Sequence, residues 1–157
     1  MGSFRDKLGL YPDYDEFCMA RCNSAEPKST PPQPSLLHGK TLLLIDDSPP
    51  ICLLFGKLME RDGATVTTCT NPRQGLELAL QEHFDLVIMD IEMPPSSGID
   101  AAAELRQAGY QGTLLALSGH NDDEHKTAAL NAGFNGYLFK DGDCLTFTHQ
   151  LLPWLNL

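Results

Sequence analysis

Four places in the sequence carry groups that could work together on a charged substrate: Asp46-Asp47, Asp90, Ser118 and Lys140. Each follows a short apolar run, namely TLLLI, LVIM, TLLAL and GYLF. If those runs are neighbouring parallel strands, all the groups emerge at one edge of one sheet. Three carboxylates gathered there repel one another and titrate upward unless a cation joins them. An oxygen-rich acidic site with room for water suits Mg²⁺. An ammonium and a hydroxyl facing the same spot suit a tetrahedral anion such as a phosphoryl group. Asp90, central and at a strand end, is then the natural nucleophile.

The elements that must position these groups can be read from residue 40 onward. Thr41–Ile45 is an apolar run, and Ile51, Leu54, Phe55 and Leu58 follow at helical spacing up to Gly63. Ala64–Thr70 alternates with β-branched residues and predicts a second strand. Asn71 caps the next helix with Pro72 at its first position, and Leu76, Ala79 and Leu80 form its inner stripe. The strand 85–90 precedes a Met-Pro-Pro turn and an Ala-rich helix from about Ile99 to Ala108. A strand from Thr113 to Leu117 ends in Ser118. The acidic start Asp122-Asp123-Glu124 opens a fourth helix, and Gly136–Phe139 forms a fifth strand ending in Lys140. A final amphipathic helix carries Leu145, Leu151, Leu152 and Leu155. Short continuous apolar strands alternating with helices predict an α/β fold, a five-stranded parallel sheet that is doubly wound. Ligands of such sheets bind beyond the carboxyl ends of the strands.

Composition narrows the classes further. The formal charge is −10, and nearly all of it falls on residues 40–157. Such a surface repels nucleic-acid phosphates and anionic lipid, so direct nucleic-acid or membrane binding is not expected. No apolar run approaches the roughly 18 residues of a membrane span, and the N-terminus lacks the order of a secretory signal. Five cysteines at irregular spacing give no disulfide framework and fit a reducing, cytoplasmic setting. Cys18 and Cys22 resemble half a zinc site, without two further ligands at a credible spacing. The chain reads as an N-terminal extension (1–26), a proline-rich linker (27–38) containing PKSTPPQPS, and a domain over 39–157. The extension could hold one short helix or trail as a tail.

The pieces IDDSP, DIEMPPSSG, LSG and YLFK, in that order, resemble the response-regulator receiver domain of two-component phosphorelay signalling. The resemblance implies a flavodoxin-like (βα)5 fold in which Asp90 accepts a phosphoryl group from a histidine kinase or histidine-phosphotransfer domain. By the same resemblance Asp46, Asp47, Asp90 and the backbone carbonyl of Glu92 hold Mg²⁺, while Ser118 and Lys140 grip the phosphoryl group. Tyr137 occupies the switch-aromatic position, and the fourth helix, fifth strand and fifth helix form the surface that meets a downstream protein. Such a domain is a phosphoacceptor and not a turnover enzyme. The sequence fits a stand-alone regulator or the receiver portion of a hybrid sensor kinase.

Three positions depart from the family pattern. Asp141 follows Lys140 where proline in a cis peptide is usual, so a trans bond is expected there. Gly119 replaces a small alanine, and Glu92 adds a carboxylate at the mouth of the pocket. His120 and His125, around the start of the fourth helix, could mark a metal or phosphohistidine site, but read first as solvated side chains. Two other functions compete. One is a receiver-shaped interaction module that is never phosphorylated. The other is a phosphatase of the haloacid-dehalogenase type, whose paired acids would be expected on the first strand.

Overall fold

A computed structural model of the chain describes residues 35–140 and 147–155. The chain divides into two units, Met1–Gln33 and Pro34–Leu157, and every described residue belongs to the second. Cys18, Cys22, Asp141 and Leu145 therefore lie outside the described residues, as does the Lys140–Asp141 peptide bond.

Five parallel strands form one sheet: β1 (Thr41–Ile45), β2 (Thr65–Cys69), β3 (Leu86–Asp90), β4 (Leu114–Ser118) and β5 (Gly136–Phe139). Their spatial order is β2-β1-β3-β4-β5. Helices α1 (Pro49–Arg61), α2 (Pro72–Gln81), α3 (Gly98–Gln107) and α4 (Asp123–Ala132) connect them. This is the flavodoxin-like, doubly wound order, with the chain reversing direction of travel across the sheet between β1 and β3. All five residues of β3 and all five of β4 are buried, as continuous apolar runs covered on both faces require. Edge strand β2 carries more polar residues and buries only Cys69.

Local chemistry fixes the helix ends close to where the sequence puts them. Pro49 and Pro50 open α1, where a missing N–H costs no helical bond. Asn71 Oδ1 accepts from Gln74 N at 3.3 Å at the start of α2, and Asp122 Oδ1 accepts from His125 N at 2.9 Å at the start of α4. Gly75 lets α2 pack closely on β1, since a Cβ there would lie 2.7 Å from the Ile45 side chain.

Three features differ from the sequence reading. Leu37 lies within the stretch read as linker, yet it is fully buried and its N–H donates to Asp62 O at 2.7 Å. Between β3 and α3 the chain forms a small antiparallel hairpin, pairing Glu92 with Ser97 and Met93 with Ser96. The expected final amphipathic α-helix is, in its described part, a 3₁₀ helix over Thr148–Trp154. Pro153 lies inside it and donates no backbone hydrogen bond. Leu151 and Leu155 still face the core, alongside Phe147, whose ring lies 4.3 Å from that of Phe55.

The amino end of β3 is pinned to that of β1 by one carboxylate. Asp85 Oδ2 accepts from Thr41 N at 2.8 Å and from Thr41 Oγ1 at 3.2 Å. The Thr41 N–H holds the Asp85 carboxyl below its ordinary value of 3.8, against the opposing effect of burial. A lowered folded-state value adds stability above the unfolded value that is lost as pH falls through the folded one. Asp85→Ala is expected to cost about 1–3 kcal/mol at neutral pH. Urea melts of the two proteins should converge as the pH drops below 3.8.

Candidate functional site

The carboxyl ends of β1, β3 and β5 deliver two acids and a lysine to one point. Asp46 and Asp90 are almost completely buried. The Lys140 ammonium lies 3.0 Å from Asp46 Oδ2 and 3.0 Å from Asp90 Oδ2. The other oxygen of each acid is held by the backbone two residues on: Ser48 N donates to Asp46 Oδ1, and Glu92 N donates to Asp90 Oδ1, both at 2.9 Å. Asp47 is exposed, and carboxylate oxygens of Asp46, Asp47 and Asp90 lie within 4.8 Å of one another.

The loop behind Asp90 is held by a close backbone approach. Gly98 N donates to Ile91 O at 3.1 Å, and a Cβ on Gly98 would lie 2.0 Å from Asp90 O. Only glycine fits there, so the hairpin and the first turn of α3 brace the acid's own peptide. Cys52 sits beneath the other acid, its thiol donating to Asp46 O at 3.2 Å. Burial, with the Asp46 charge, pushes that thiol up to about 11, so it is inert at neutral pH.

Electrostatics set the state of the acids. Burial is the main reason the Asp90 carboxyl is pushed up to about 6, and the Asp46 charge adds to it. The Glu92 N–H and the Lys140 ammonium work in the opposite direction. Burial disfavours the Lys140 charge, but Asp90 and Asp46 outweigh it and raise the lysine above its ordinary value. Two buried acids thus share one ammonium with an exposed third acid close by, and Asp46 Oδ2 has no donor in good hydrogen-bond geometry. An all-oxygen set with surplus negative charge fits a hard divalent cation such as Mg²⁺.

Ser118 lies one residue beyond the Asp90–Leu117 pair of strands β3 and β4, so it shares the same edge. It is fully buried, and its Oγ accepts from His120 N at 3.0 Å. Lys140 N donates to Ser118 O at 2.7 Å, which couples the loop after β4 to the end of β5. Tyr137 is half-buried, and its hydroxyl donates to the His120 carbonyl. The Glu92 side chain, expected to add a carboxylate at the pocket mouth, pairs with His120, Oε1 to Nε2 at 2.6 Å. Nothing in the spacing of residues 92 and 120 announces that contact.

The response regulator receiver domain model matches residues 42–151. The chain belongs to the response-regulator receiver family. Among relatives, the nitrate/nitrite response regulator protein NarL of Escherichia coli is 36% identical over 115 residues, covering 70% of this chain and 53% of NarL. The E. coli signal transduction histidine-protein kinase BarA is 32% identical over 133 residues, covering 83% of this chain and 14% of the kinase. The chain therefore spans about half of NarL and a small part of BarA. The chemotaxis protein CheY4 of Vibrio cholerae superposes with a TM-score of 0.68 at 27% identity, covering 74% of this chain and 98% of that one. As a receiver domain this chain is a two-component signalling module. No helix among the described residues is long and apolar enough to cross a membrane.

The raised Asp90 value gives a stability test in the metal-free protein. A carboxyl with a raised folded-state value costs nothing below its unfolded value of 3.8 and its full penalty above about 6. With chelator present, Asp90→Asn should raise the Tm at pH 8 by several degrees, and the gain should fade as the pH falls to 4. Saturating Mg²⁺ should raise the Tm of the wild-type protein more than that of the variant.

Proposed function

We propose that this receiver domain is a phosphoacceptor in a phosphorelay, with Asp90 taking the phosphoryl group from a phosphohistidine donor. The carrying observation is the pair of buried acids, Asp46 and Asp90, bridged by the Lys140 ammonium at 3.0 Å from each. Mg²⁺ held by Asp46, Asp47, Asp90 and the Glu92 backbone carbonyl would neutralise charge on the transferring oxygens. Asp90 presents an oxygen to phosphorus; the new O–P bond forms as the donor's N–P bond breaks, and the imidazole leaves. The Glu92 N–H holds the acid's other oxygen and fixes the line of attack. Lys140, already beside Asp90, follows the charge onto the phosphoryl oxygens, and Ser118 supplies a hydroxyl donor to one of them.

The switch follows from the hydrogen bonds around Ser118. Turning its hydroxyl toward a phosphoryl oxygen gives up the bond from His120 N and draws that loop inward. Tyr137 then loses its acceptor, the His120 carbonyl, and its ring is free to turn inward. The face made by α4, β5 and the terminal segment changes with it and meets the downstream protein. The donor is a histidine kinase or histidine-phosphotransfer domain on the cytoplasmic side, and the acidic surface disfavours direct binding to nucleic acid or membrane. Self-phosphorylation and self-dephosphorylation are slow at most. The phosphatase alternative expects its spaced paired acids on the first strand, where this chain holds the adjacent Asp46-Asp47.

Intact mass after incubation with acetyl phosphate tests this reading. A Mg²⁺-dependent gain of about 80 Da, absent from Asp90→Asn, is the expected result for one added phosphoryl group. No gain at short reaction times with Mg²⁺ would instead favour the interaction module that is never phosphorylated.

A further inference from the structure

Beside the acidic pocket lies a second group of metal-ligating side chains that the phosphoacceptor chemistry does not use. Glu92 comes from the hairpin after β3, His120 from the loop after β4, and His125 from the first turns of α4. One ligand atom from each lies within 4.8 Å of the others. Glu92 Oε1 is 2.6 Å from His120 Nε2. The His120 and His125 rings stack with centroids 4.4 Å apart and planes 7° from parallel. His125 Nδ1 is 2.7 Å from both carboxylate oxygens of Asp122, which leaves its Nε2 available.

We propose that Glu92, His120 and His125 form a site for a borderline divalent metal ion of the Zn²⁺ type, separate from the Mg²⁺ pocket. The donor set decides the ion. Two imidazole nitrogens and one carboxylate are the ligands Zn²⁺ favours, with water completing a tetrahedron, whereas Mg²⁺ prefers oxygen alone. Asp122 gripping Nδ1 of a ligating histidine is the carboxylate–histidine support that orients such rings and raises their basicity. Both acids also lie on a chain of net charge −10, which favours a cation.

The geometry requires small, local movements. Ligands on a tetrahedral ion with bonds of about 2.0–2.1 Å sit about 3.3 Å apart. Glu92 and His120 must therefore part slightly, with the ion replacing the hydrogen between them, and the rings must tilt out of their stack so that their lone pairs converge. All three side chains are partly solvent-exposed, and Glu92 and His120 can make most of the adjustment while Asp122 holds His125. The ion would join the loop after Asp90 to the loop that carries Ser118 and the carbonyl bonded by Tyr137. If the proposed phosphoacceptor function holds, it therefore restrains the same loop that must move inward on phosphorylation. Metal binding itself does not depend on that function.

Titration of the full chain with Co²⁺ in excess Mg²⁺, read by visible absorption and reversed by Zn²⁺, tests the site. One equivalent should bind with the intense bands of four-coordinate cobalt and without the near-ultraviolet band of thiolate ligation. His125→Ala, His120→Gln and Glu92→Gln should each weaken binding at least about tenfold, and Asp122→Asn, which keeps the helix cap, by about tenfold. Asp90→Asn should leave binding unchanged, so failure of phosphorylation and failure of this site are told apart. No binding in Mg²⁺ overturns the proposal. Binding that survives loss of both histidines also overturns it, and the thiolate band or sensitivity to Asp90→Asn would then place the ion at Cys18 and Cys22 or in the acidic pocket.

Discussion

One ammonium shared by two buried carboxylates organises this domain. Two acids at the ends of adjacent buried strands cost several kcal/mol each unless compensated. Lys140, arriving from β5 at 3.0 Å from both, supplies only half of the neutralisation needed. The remainder is negative charge held rigidly in a place that solvent barely reaches. That surplus suits a divalent cation, and the proposed phosphoryl transfer would draw on both. The sheet order β2-β1-β3-β4-β5 makes this possible, because it sets the ends of β1 and β3 side by side.

The rest of the site consists of devices that stop the acids from relaxing away from one another. Backbone N–H groups of Ser48 and Glu92 fix their second oxygens. Gly98 allows the start of α3 to press on the Asp90 peptide, and the small hairpin closes the loop between them. On the far side, the loop after β4 is held by the Ser118–His120 bond, the Tyr137 hydroxyl and the Glu92–His120 pair. Under the proposed function, charge would appear on the Asp90 side and the loop after β4 would move in response.

The sequence was informative where residue type and periodicity carry the message. Strand-end Asp46, Asp90, Ser118 and Lys140 were legible because acids, a hydroxyl and a lysine interrupt otherwise apolar runs in a fixed order. Helix starts at Asn71 and Asp122 were legible because capping side chains mark them locally. Contacts between distant segments were not. The Glu92–Met93 and Ser96–Ser97 strands are too short for any period to register. The need for glycine at 98 arises only when the chain folds back onto Asp90 O. His120 is exposed, as its sequence context suggests, but its pairing with Glu92 arises only when the fold brings the two loops together. Leu37 looked like linker because proline-rich sequence surrounds it, though a single leucine is enough to dock the strand entry. In the terminal segment the leucine pattern identified the buried face, but not the tighter 3₁₀ winding of the described part.

The most direct test of the shared-ammonium account is an amide NMR titration with beryllofluoride, a stand-in for the acyl phosphate, in the presence and absence of Mg²⁺. The account predicts Mg²⁺-dependent shifts concentrated at Asp90, Glu92, Ser118, His120, Tyr137 and Lys140, and lost when Lys140 or Asp90 is replaced by a neutral residue. Shifts that ignore those replacements, or none at all with Mg²⁺ present, would contradict it.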